Sequence, residues 1–267
     1  MSKAFESYMR TKNLSQNTID SYIVGVKKFM DKYAGLSKKN LLEYKSWLME
    51  NYSSKTVNLR LNSLNKYLEY VRRTDLKVKN VKIQKGYHLE HVISNADYNF
   101  LKAKLEEDGD LRGYFMVRFL AATGARVSEF IQLKAEHVRE GFFDLYGKGG
   151  KQRRLYIPKA LRTEALKWLN DTGKESGYLF MSLRGQPLQT RTVAMLLKNY
   201  ARKYGIDPAV VYPHSFRHRY AKNFLEKCND IALLADLMGH DSIETTRLYL
   251  RRTATEQREL VDRIVTW

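Results

Sequence analysis

The chain has 267 residues, with 47 Lys or Arg against 29 Asp or Glu, so its formal net charge is +18 at pH 7. An excess of this size favours a polyanionic partner, either nucleic acid or an anionic membrane surface. No apolar run approaches the roughly 20 residues that span a bilayer, and the N-terminus lacks the apolar stretch of a signal peptide, which favours a cytoplasmic protein. The single cysteine, Cys228, excludes an intramolecular disulfide and a cysteine-based zinc site, and its helical context predicts a buried thiol.

Residues 1–76 are predicted to form an all-helical, DNA-binding domain. Apolar residues recur at helical spacing in three segments that begin near Ser15, Ser37 and Ser53. On the third segment, the face opposite the apolar stripe carries Lys55, Asn62, Lys66 and Arg73. Such a face suits a DNA groove, because asparagine can read adenine edges and lysine can bind phosphate. A solvated polar face, which any surface helix presents, is the alternative.

A basic linker and a second, mainly helical domain are predicted to follow. Residues 77–93 lack a helical stripe and contain four lysines that would suit a strap along a DNA backbone. In residues 94–267, the pattern predicts a helix from Ser94, a buried helix over 111–122 and a glycine-rich β-hairpin between Gly141 and Pro158. Further helices are predicted over 159–172, 190–204, 214–227, 230–238, 243–250 and 255–265.

Basic side chains in the first half of this second domain are candidates for binding phosphate. Arg126 follows a glycine-marked break at a helix start, where backbone N–H groups also favour an anion. Glu129 lies about one turn later on the same face, so a surface salt bridge is the alternative role of Arg126. Flanking glycines would let the hairpin turn approach a ligand closely, although a solvated loop charge is the simpler interpretation of any single lysine there. The hairpin carries four cations: Lys148, Lys151, Arg153 and Arg154.

The region before the C-terminal tail holds groups that can move protons and attack phosphorus. His214 and Arg217 stand three residues apart, so their side chains emerge on one side of a helix. Gly239 ends an apolar helix, and His240 in the following turn can donate to a phosphate oxygen or to a turn carbonyl. Tyr249 lies nine residues later; as one of 18 tyrosines, it could equally be a half-buried packing residue.

The order of these residues resembles the catalytic domain of the tyrosine recombinases, the Xer and phage-integrase family. The resemblance extends to the motifs TGARVSE, GKGGKQR, HSFRH and LMGHDSIETTRLY and covers about residues 94–265. The helical first segment is more loosely similar to the family's core-binding domain. The implied fold class is mainly α, with a helical N-terminal core-binding domain and a mixed α/β, mostly helical catalytic domain that contains a small sheet.

The resemblance also implies a role for each candidate. Tyr249 would attack the scissile DNA phosphate, giving a 3′-phosphotyrosyl intermediate and a free 5′-hydroxyl. Lys148 would protonate the leaving 5′-oxygen as a general acid. Three side chains would hold the non-bridging oxygens and offset the charge that develops in the transition state: Arg126, Arg217 and His240.

Two further residues receive supporting roles from the same resemblance. His214 would assist proton transfer at Tyr249, and Glu129 would orient Arg126. No metal, cofactor or ATP is expected, because cationic side chains take the place of Mg²⁺ and the phosphotyrosine conserves the bond energy. The implied assembly is a homotetramer on two copies of a specific double-stranded DNA site. Its protomers would be joined by the apolar C-terminal tail, about residues 255–267, unless that tail packs on its own domain.

Other functions fit the same residues. Type IB topoisomerases share the chemistry and would relax DNA without recombining it, and a non-catalytic DNA-binding relative is a third possibility. The apolar tail argues against the topoisomerase, and the complete set of six catalytic residues argues against the non-catalytic relative. With no domain expected before the core-binding helices, the sequence favours a simple recombinase for chromosome-dimer resolution, DNA inversion or mobile-element integration. It leaves the target sequence and any accessory protein open.

Overall fold

The computed structural model describes residues 3–83, 91–146, 152–182, 184–240, 242–250, 258, 261–265 and 267. The chain divides into two compact units, residues 1–86 and 87–267. Within the described ranges, no helix combines the length and the apolar character that crossing a membrane requires.

The first unit is built from helices α1 to α4, which confirms the helical fold expected for this part of the chain. They span Lys3–Thr11, Gln16–Met30, Lys38–Asn51 and Ser54–Tyr70. The hydroxyls of Ser15 and Ser37 cap α2 and α3 by accepting backbone N–H groups of the first turn. Helices α2 and α4 cross closely at Gly25, where an added Cβ would lie 2.1 Å from Oγ of Ser63. The sequence pattern did not single out α1, whose Phe5 is fully buried in the core.

The segment after α4 packs on the first unit, which corrects the predicted start of the linker at residue 77. Leu76 and Val78 are buried. Two asparagines of α4 hold the extended backbone. Asn65 exchanges two hydrogen bonds with Val78, at 2.9 and 3.0 Å, and Asn58 exchanges two with Val81, at 2.9 and 2.8 Å. Each side-chain amide thus satisfies both an N–H and a C=O of one residue, as a neighbouring strand would.

The second unit is mainly helical with a small sheet, as predicted. Its helices before the sheet are α5 (Asn95–Glu107), α6 (Leu111–Thr123), α7 (Val127–Phe130) and α8 (Ala135–Glu140). Strands β1 (Phe142–Tyr146) and β2 (Gln152–Tyr156) pair antiparallel as a hairpin. The helices after the sheet are α9 (Lys159–Asp171), α10 (Thr190–Lys203), α11 (Pro213–Lys227), α12 (Ile231–Met238) and α13 (Ile243–Thr246).

Helix α6 lies at the centre of the core of this unit, and its C-terminal end contacts α11. It packs against α5, α9 and α11 and is buried along most of its length. Gly124 ends α6 with a left-handed backbone, at φ +61°, which glycine adopts without steric cost. An added Cβ at this glycine would lie 2.5 Å from Cδ1 of Tyr220 on α11, so the turn and the ring are in direct contact.

One helix of this unit was not predicted, and two local predictions were wrong. Helix α8 was not predicted, because its six residues are too few to show a periodic pattern. The helix predicted over 243–250 consists of α13 and a separate 3₁₀ turn, Arg247–Leu250. Cys228, predicted to be buried, follows the last residue of α11 and is exposed. In the described part of the C-terminal tail, residues 261–264 are helical.

Candidate active site

Arg217 is the buried centre of the site, with only 3% of its surface exposed. Its guanidinium donates to the carbonyl oxygens of Gly124 at 2.5 Å and Met238 at 2.7 Å, which lie at the ends of α6 and α12. These carbonyls have no partner within their own helices, so the arginine caps both. Burial lowers the pKa of Arg217 to about 10, and the nearby cations Arg126 and Arg153 act in the same direction. The group therefore stays charged at neutral pH.

His240 lies in the turn that follows α12. Gly239 ends this helix with a left-handed backbone, at φ +59°. Nε2 of His240 is 3.1 Å from Nη2 of Arg217, and Nδ1 is 2.7 Å from Oγ1 of the buried Thr246. Because a guanidinium only donates, Nε2 accepts and the ring proton lies on Nδ1. Burial, followed by the cationic neighbours, lowers the pKa of His240 to about 4, so the ring is neutral at pH 7.

Arg126 reaches the same turn from the N-terminus of α7. Its Nη2 donates to the carbonyl oxygen of Gly239 at 2.7 Å. Glu129, one turn into α7, accepts from the backbone N–H of Arg126 at 2.7 Å and from Nη1 at 3.0 Å. The carboxylate thus fixes both the backbone and the side chain of the arginine. Arg126 and Arg217 converge on the end of α12 although they lie 91 positions apart in the sequence.

Arg153, predicted to contact a DNA phosphate, belongs to this network. Nη1 donates to the carbonyl oxygen of Leu237 at 2.5 Å, and Nη2 forms an ion pair with Glu129. The stem of the side chain lies against Gly239, where an added Cβ would be 2.3 Å from Cδ of Arg153. Alternate residues of a strand face opposite sides, and Arg153 shares the inward side of β2 with the buried Leu155.

Glu129 is ionised although it is mostly buried. Burial raises the pKa of its carboxyl group, but hydrogen bonds and charge from Arg153, and then Arg126, outweigh this effect and hold the pKa below its usual value. One carboxylate thus partly balances two guanidinium groups. Since Arg217 stands beside them, the site keeps an excess of positive charge.

Arg154 faces the other side of the hairpin. It pairs with Asp144 across the strands, at 2.8 and 2.9 Å, and its guanidinium lies 3.8 Å from the centre of the Phe142 ring. The side chain is 43% exposed, but part of its charge is neutralised within the hairpin. Lys148 and Lys151, predicted as general acid and phosphate contact, lie outside the described residues.

Tyr249 lies in the 3₁₀ turn after α13 and is half-buried. Its hydroxyl is 2.9 Å from Nδ1 of His218 on α11. Its ring is nearly parallel to that of His240, with an interplanar angle of 13° and centroids 6.4 Å apart. Burial raises the pKa of the phenol, while the charges of Arg217 and Arg126 act in the opposite direction. The tyrosine therefore stands at the edge of the same cationic cluster.

His214, predicted to assist proton transfer at Tyr249, lies one turn before His218 on the same helix. It stands in the first turn of α11, is exposed, and has its ring centroid 6.2 Å from that of His218. It lines a cavity of about 470 Å³ whose other residues include Val127, Arg191 and Lys198. The described structure thus brings His218, not His214, to the tyrosine hydroxyl. The motif HSFRH already indicates that both histidines lie on the same side as Arg217, because its first, fourth and fifth residues share one helix face.

The polar face predicted on α4 is largely engaged by the chain itself. Lys55 is exposed. Asn62 accepts a hydrogen bond from Asn80 at 3.0 Å, and Lys66 forms an ion pair with Glu69 at 2.6 Å. The segment that follows the helix folds back along this face, which local periodicity cannot reveal.

Arg73 is not on α4, contrary to the prediction. The helix ends at Tyr70, and the guanidinium of Arg73 pairs with Asp75 through two hydrogen bonds of 3.1 Å. The predicted set of four DNA-binding residues is therefore not a single free helix face.

Comparison with known proteins agrees with the fold and extends over both units. The phage integrase family matches residues 91–256, and the N-terminal SAM-like domain of phage integrases matches residues 1–78. The tyrosine recombinase XerA of Pyrococcus furiosus is 33% identical, over 97% of this chain and 92% of XerA. The TnP I resolvase of Bacillus thuringiensis is 29% identical, over 93% of this chain and 94% of the resolvase.

A solved structure shows the same fold at low sequence identity. The Tn1549 transposon integrase, in complex with transposon right end DNA, superposes with a TM-score of 0.76 at 16% identity and covers 99% of each chain. The family match spans well over half of the sequence, and the residues it includes are those that form the cationic cluster and the tyrosine beside it. The chain therefore belongs to the phage integrase family of tyrosine recombinases.

Proposed function

We propose that this protein is a site-specific recombinase of double-stranded DNA that uses Tyr249 to cleave and rejoin strands. The observation that carries the proposal is the convergence of Arg126, Arg217 and His240 on the end of α12, with the Tyr249 ring stacked on His240. In the proposed reaction, the phenol oxygen forms a bond to phosphorus and the bond from phosphorus to the 5′-oxygen breaks. The product is a 3′-phosphotyrosyl linkage and a free 5′-hydroxyl.

The charges of the cluster support the binding of a phosphate. Arg126 and Arg153 both lower the pKa of Arg217, which means that these cations repel one another. A phosphodiester held by Arg126 and Arg217 would relieve this repulsion. It would also favour protonation of His240, because a nearby anion stabilises the imidazolium. Arg217 would then leave Nε2 of His240 and bind the phosphate, and Nε2 would gain a proton that it can donate to a phosphate oxygen.

The remaining roles follow from the family resemblance. Lys148 would protonate the leaving 5′-oxygen, and Glu129 would hold Arg126 in position. The cationic ligands supply the charge that Mg²⁺ supplies in many phosphoryl-transfer enzymes, so the proposed reaction needs no metal. The phosphotyrosine keeps the energy of the broken bond, so a 5′-hydroxyl of another strand can reverse the step without ATP.

The proposed working assembly is a homotetramer on two DNA sites, joined by the C-terminal tail of residues 255–267. In the described part of this tail, four apolar side chains are exposed, Trp267 at 92%: Val261, Ile264, Val265 and Trp267. An apolar surface of this kind suits docking on a neighbouring copy of the chain. The variant Trp267→Ser should still cleave a single site but form fewer two-site complexes, as measured by native gel electrophoresis with labelled DNA. Unchanged two-site complexes would contradict this role of the tail.

The cleavage proposal is tested with a nicked DNA substrate that traps the covalent intermediate. The wild-type protein should form an adduct that survives SDS, whereas Tyr249→Phe should bind the DNA and form none. Tyr220→Phe is the matched control, because Tyr220 lies against the same site at Gly124 but has no proposed chemical role. An SDS-resistant adduct in Tyr249→Phe, or its loss in Tyr220→Phe, would contradict the assignment of Tyr249.

A further inference from the structure

Thr246 is a buried polar residue on an otherwise exposed helix and has no role in the mechanism described above. It is the last residue of α13, and none of its surface is exposed. The other residues of this helix are exposed, including Ile243 at 45%. The helix thus buries a hydroxyl and leaves a large apolar side chain in solvent, the reverse of what the hydrophobic effect favours. This orientation indicates that the hydroxyl makes a polar contact inside the site.

The contact is with His240. Oγ1 of Thr246 lies 2.7 Å from Nδ1 of His240, and Nε2 of the same ring lies 3.1 Å from Nη2 of Arg217. Burial and the neighbouring cations lower the pKa of His240 to about 4, so at neutral pH the ring carries a single proton. Because the guanidinium can only donate, Nε2 is the acceptor and the ring proton lies on Nδ1. The hydroxyl of Thr246 therefore accepts a hydrogen bond from Nδ1.

This hydrogen bond is compatible with the free site and with a bound phosphate. In the proposed function, the phosphodiester draws Arg217 away from Nε2 of His240, and Nε2 gains a proton. Nδ1 keeps its own proton throughout, so it can donate to Thr246 in both states. In a histidine, the hydrogen bond made by one ring nitrogen sets the protonation and the direction of the other. Thr246 thus determines where Nε2 points.

Thr246 also lies on the segment that carries the proposed nucleophile. The 3₁₀ turn Arg247–Leu250 follows α13 directly, so Tyr249 is three positions from the threonine. The rings of Tyr249 and His240 are nearly parallel, at an angle of 13°. One short segment therefore supplies the tyrosine and holds the histidine beside it.

We propose that Thr246 is a positioning residue that holds His240 with Nε2 directed at the scissile phosphate. By accepting from Nδ1, its hydroxyl fixes the orientation of the ring and the nitrogen that carries the proton. Nε2 is thereby kept for Arg217 in the free protein and for a non-bridging oxygen in the complex with DNA. In this role Thr246 acts through His240 rather than on the phosphate itself. This inference rests on the proposed function, because it takes His240 as a ligand of the phosphate.

The test measures single-turnover cleavage of the nicked substrate at saturating DNA. Thr246→Val keeps the shape of the side chain and removes the hydroxyl, Thr246→Ser keeps the hydroxyl, and Thr245→Val makes the same change at the exposed neighbour. Loss of a transition-state donor costs about 100-fold in rate, and a misdirected donor should lose part of this, so we expect Thr246→Val to cleave about tenfold more slowly. Thr246→Ser and Thr245→Val should cleave within a few-fold of the wild type.

A double-mutant cycle separates positioning from packing. If the hydroxyl acts through His240, Thr246→Val should cause no further loss in a protein that already carries His240→Ala. The same loss in both backgrounds would overturn the proposal. Wild-type cleavage by Thr246→Val, a rate that Thr246→Ser does not restore, or an equal loss in Thr245→Val would overturn it too. If Thr246→Val melts below the assay temperature, Thr246→Ala takes its place with the same expectations.

The direction of the hydrogen bond is tested without DNA. Nitrogen NMR of the full chain with isotopically labelled histidine distinguishes a protonated ring nitrogen from an unprotonated one, and the His240 signals are those that His240→Ala lacks. We expect a proton on Nδ1 and none on Nε2 at neutral pH, and the reverse would overturn the proposal. An SDS-resistant adduct in Tyr249→Phe would overturn the proposed function, whereas wild-type cleavage by Thr246→Val beside an inactive Tyr249→Phe would overturn only the role of Thr246.

Discussion

Arg153 and Glu129 form an ion pair in which the side chains are only 12% and 13% exposed. Through this pair, strand β2 is held against the N-terminus of α7, which Arg126 directly precedes. Arg153 also donates to the last turn of α12, so one side chain joins the hairpin to two elements that supply phosphate ligands. Arg153 thus anchors the two described strands of the hairpin at the site.

Removal of this anchor should destabilise the protein. Arg153→Met leaves Glu129 without one of its two cationic partners, and we expect a loss of about 3 kcal/mol in the free energy of unfolding. The matched control is Arg154→Met on the opposite side of the same strand, where the exposed pair with Asp144 should contribute about 1 kcal/mol or less. Urea denaturation of the full chain measures both. Equal losses in the two variants would show that burial of the Arg153 pair has no special importance.

Local features of the fold could be predicted from the sequence. Serines before apolar periodic segments predicted the starts of α2, α3 and α5, and all three accept hydrogen bonds from their helices. Glycines after the apolar helices α6 and α12 predicted where these helices end, because only glycine adopts a left-handed backbone without cost. These signals are short in range, so the sequence alone carries them.

Contacts between distant elements could not be predicted from the sequence. Local spacing shows that positions 214, 217 and 218 share a face of α11, but not which of them meets Tyr249. The inward direction of Arg153 depends on the register of the hairpin, and a basic motif gives no information on that register. In the first unit, the asparagines of α4 are compatible with DNA or with the chain itself, and the return of residues 77–81 along the helix decides between them.

Close packing at Gly124 makes a further prediction. Gly124→Ala places a methyl group against Tyr220 and forces alanine into a left-handed backbone, so we expect a loss of about 3 kcal/mol from strain and crowding together. Gly173→Ala is the matched control, because this glycine has φ +64° and nothing within 4 Å of an added Cβ. In the control, backbone strain alone should lower the free energy of unfolding, by about 1 kcal/mol. Calorimetric melting of both variants separates the two contributions, and equal melting temperatures would rule out crowding by Tyr220.

The hydrogen bonds from Asn58 and Asn65 to the backbone that follows α4 should protect this segment from proteolysis. Asn65→Ala leaves the N–H and C=O of Val78 without their partners, at a cost of about 1.4 kcal/mol for opening the segment. Local opening would then be about tenfold more frequent, and trypsin should cut after Lys77 and Lys79 about tenfold faster. Asn51→Ala is the control, because it removes one exposed hydrogen bond to the helix carbonyl of Trp47. Equal cleavage rates in the two variants would show that Asn65 does not hold this segment.

The neutral histidines of the site should make stability depend on pH. Burial and the neighbouring cations lower the pKa of His240 to about 4 in the folded protein, while an unfolded chain has a value of about 6.5. Between these values the unfolded state binds more protons, so this part of the stability is present above pH 6.5 and is lost as the pH falls towards 4. His240→Asn should therefore show a smaller drop in melting temperature from pH 6.5 to pH 4.5 than the wild type. A wild-type slope in His240→Asn would mean that the imidazole takes up its proton as easily in the folded site as in water.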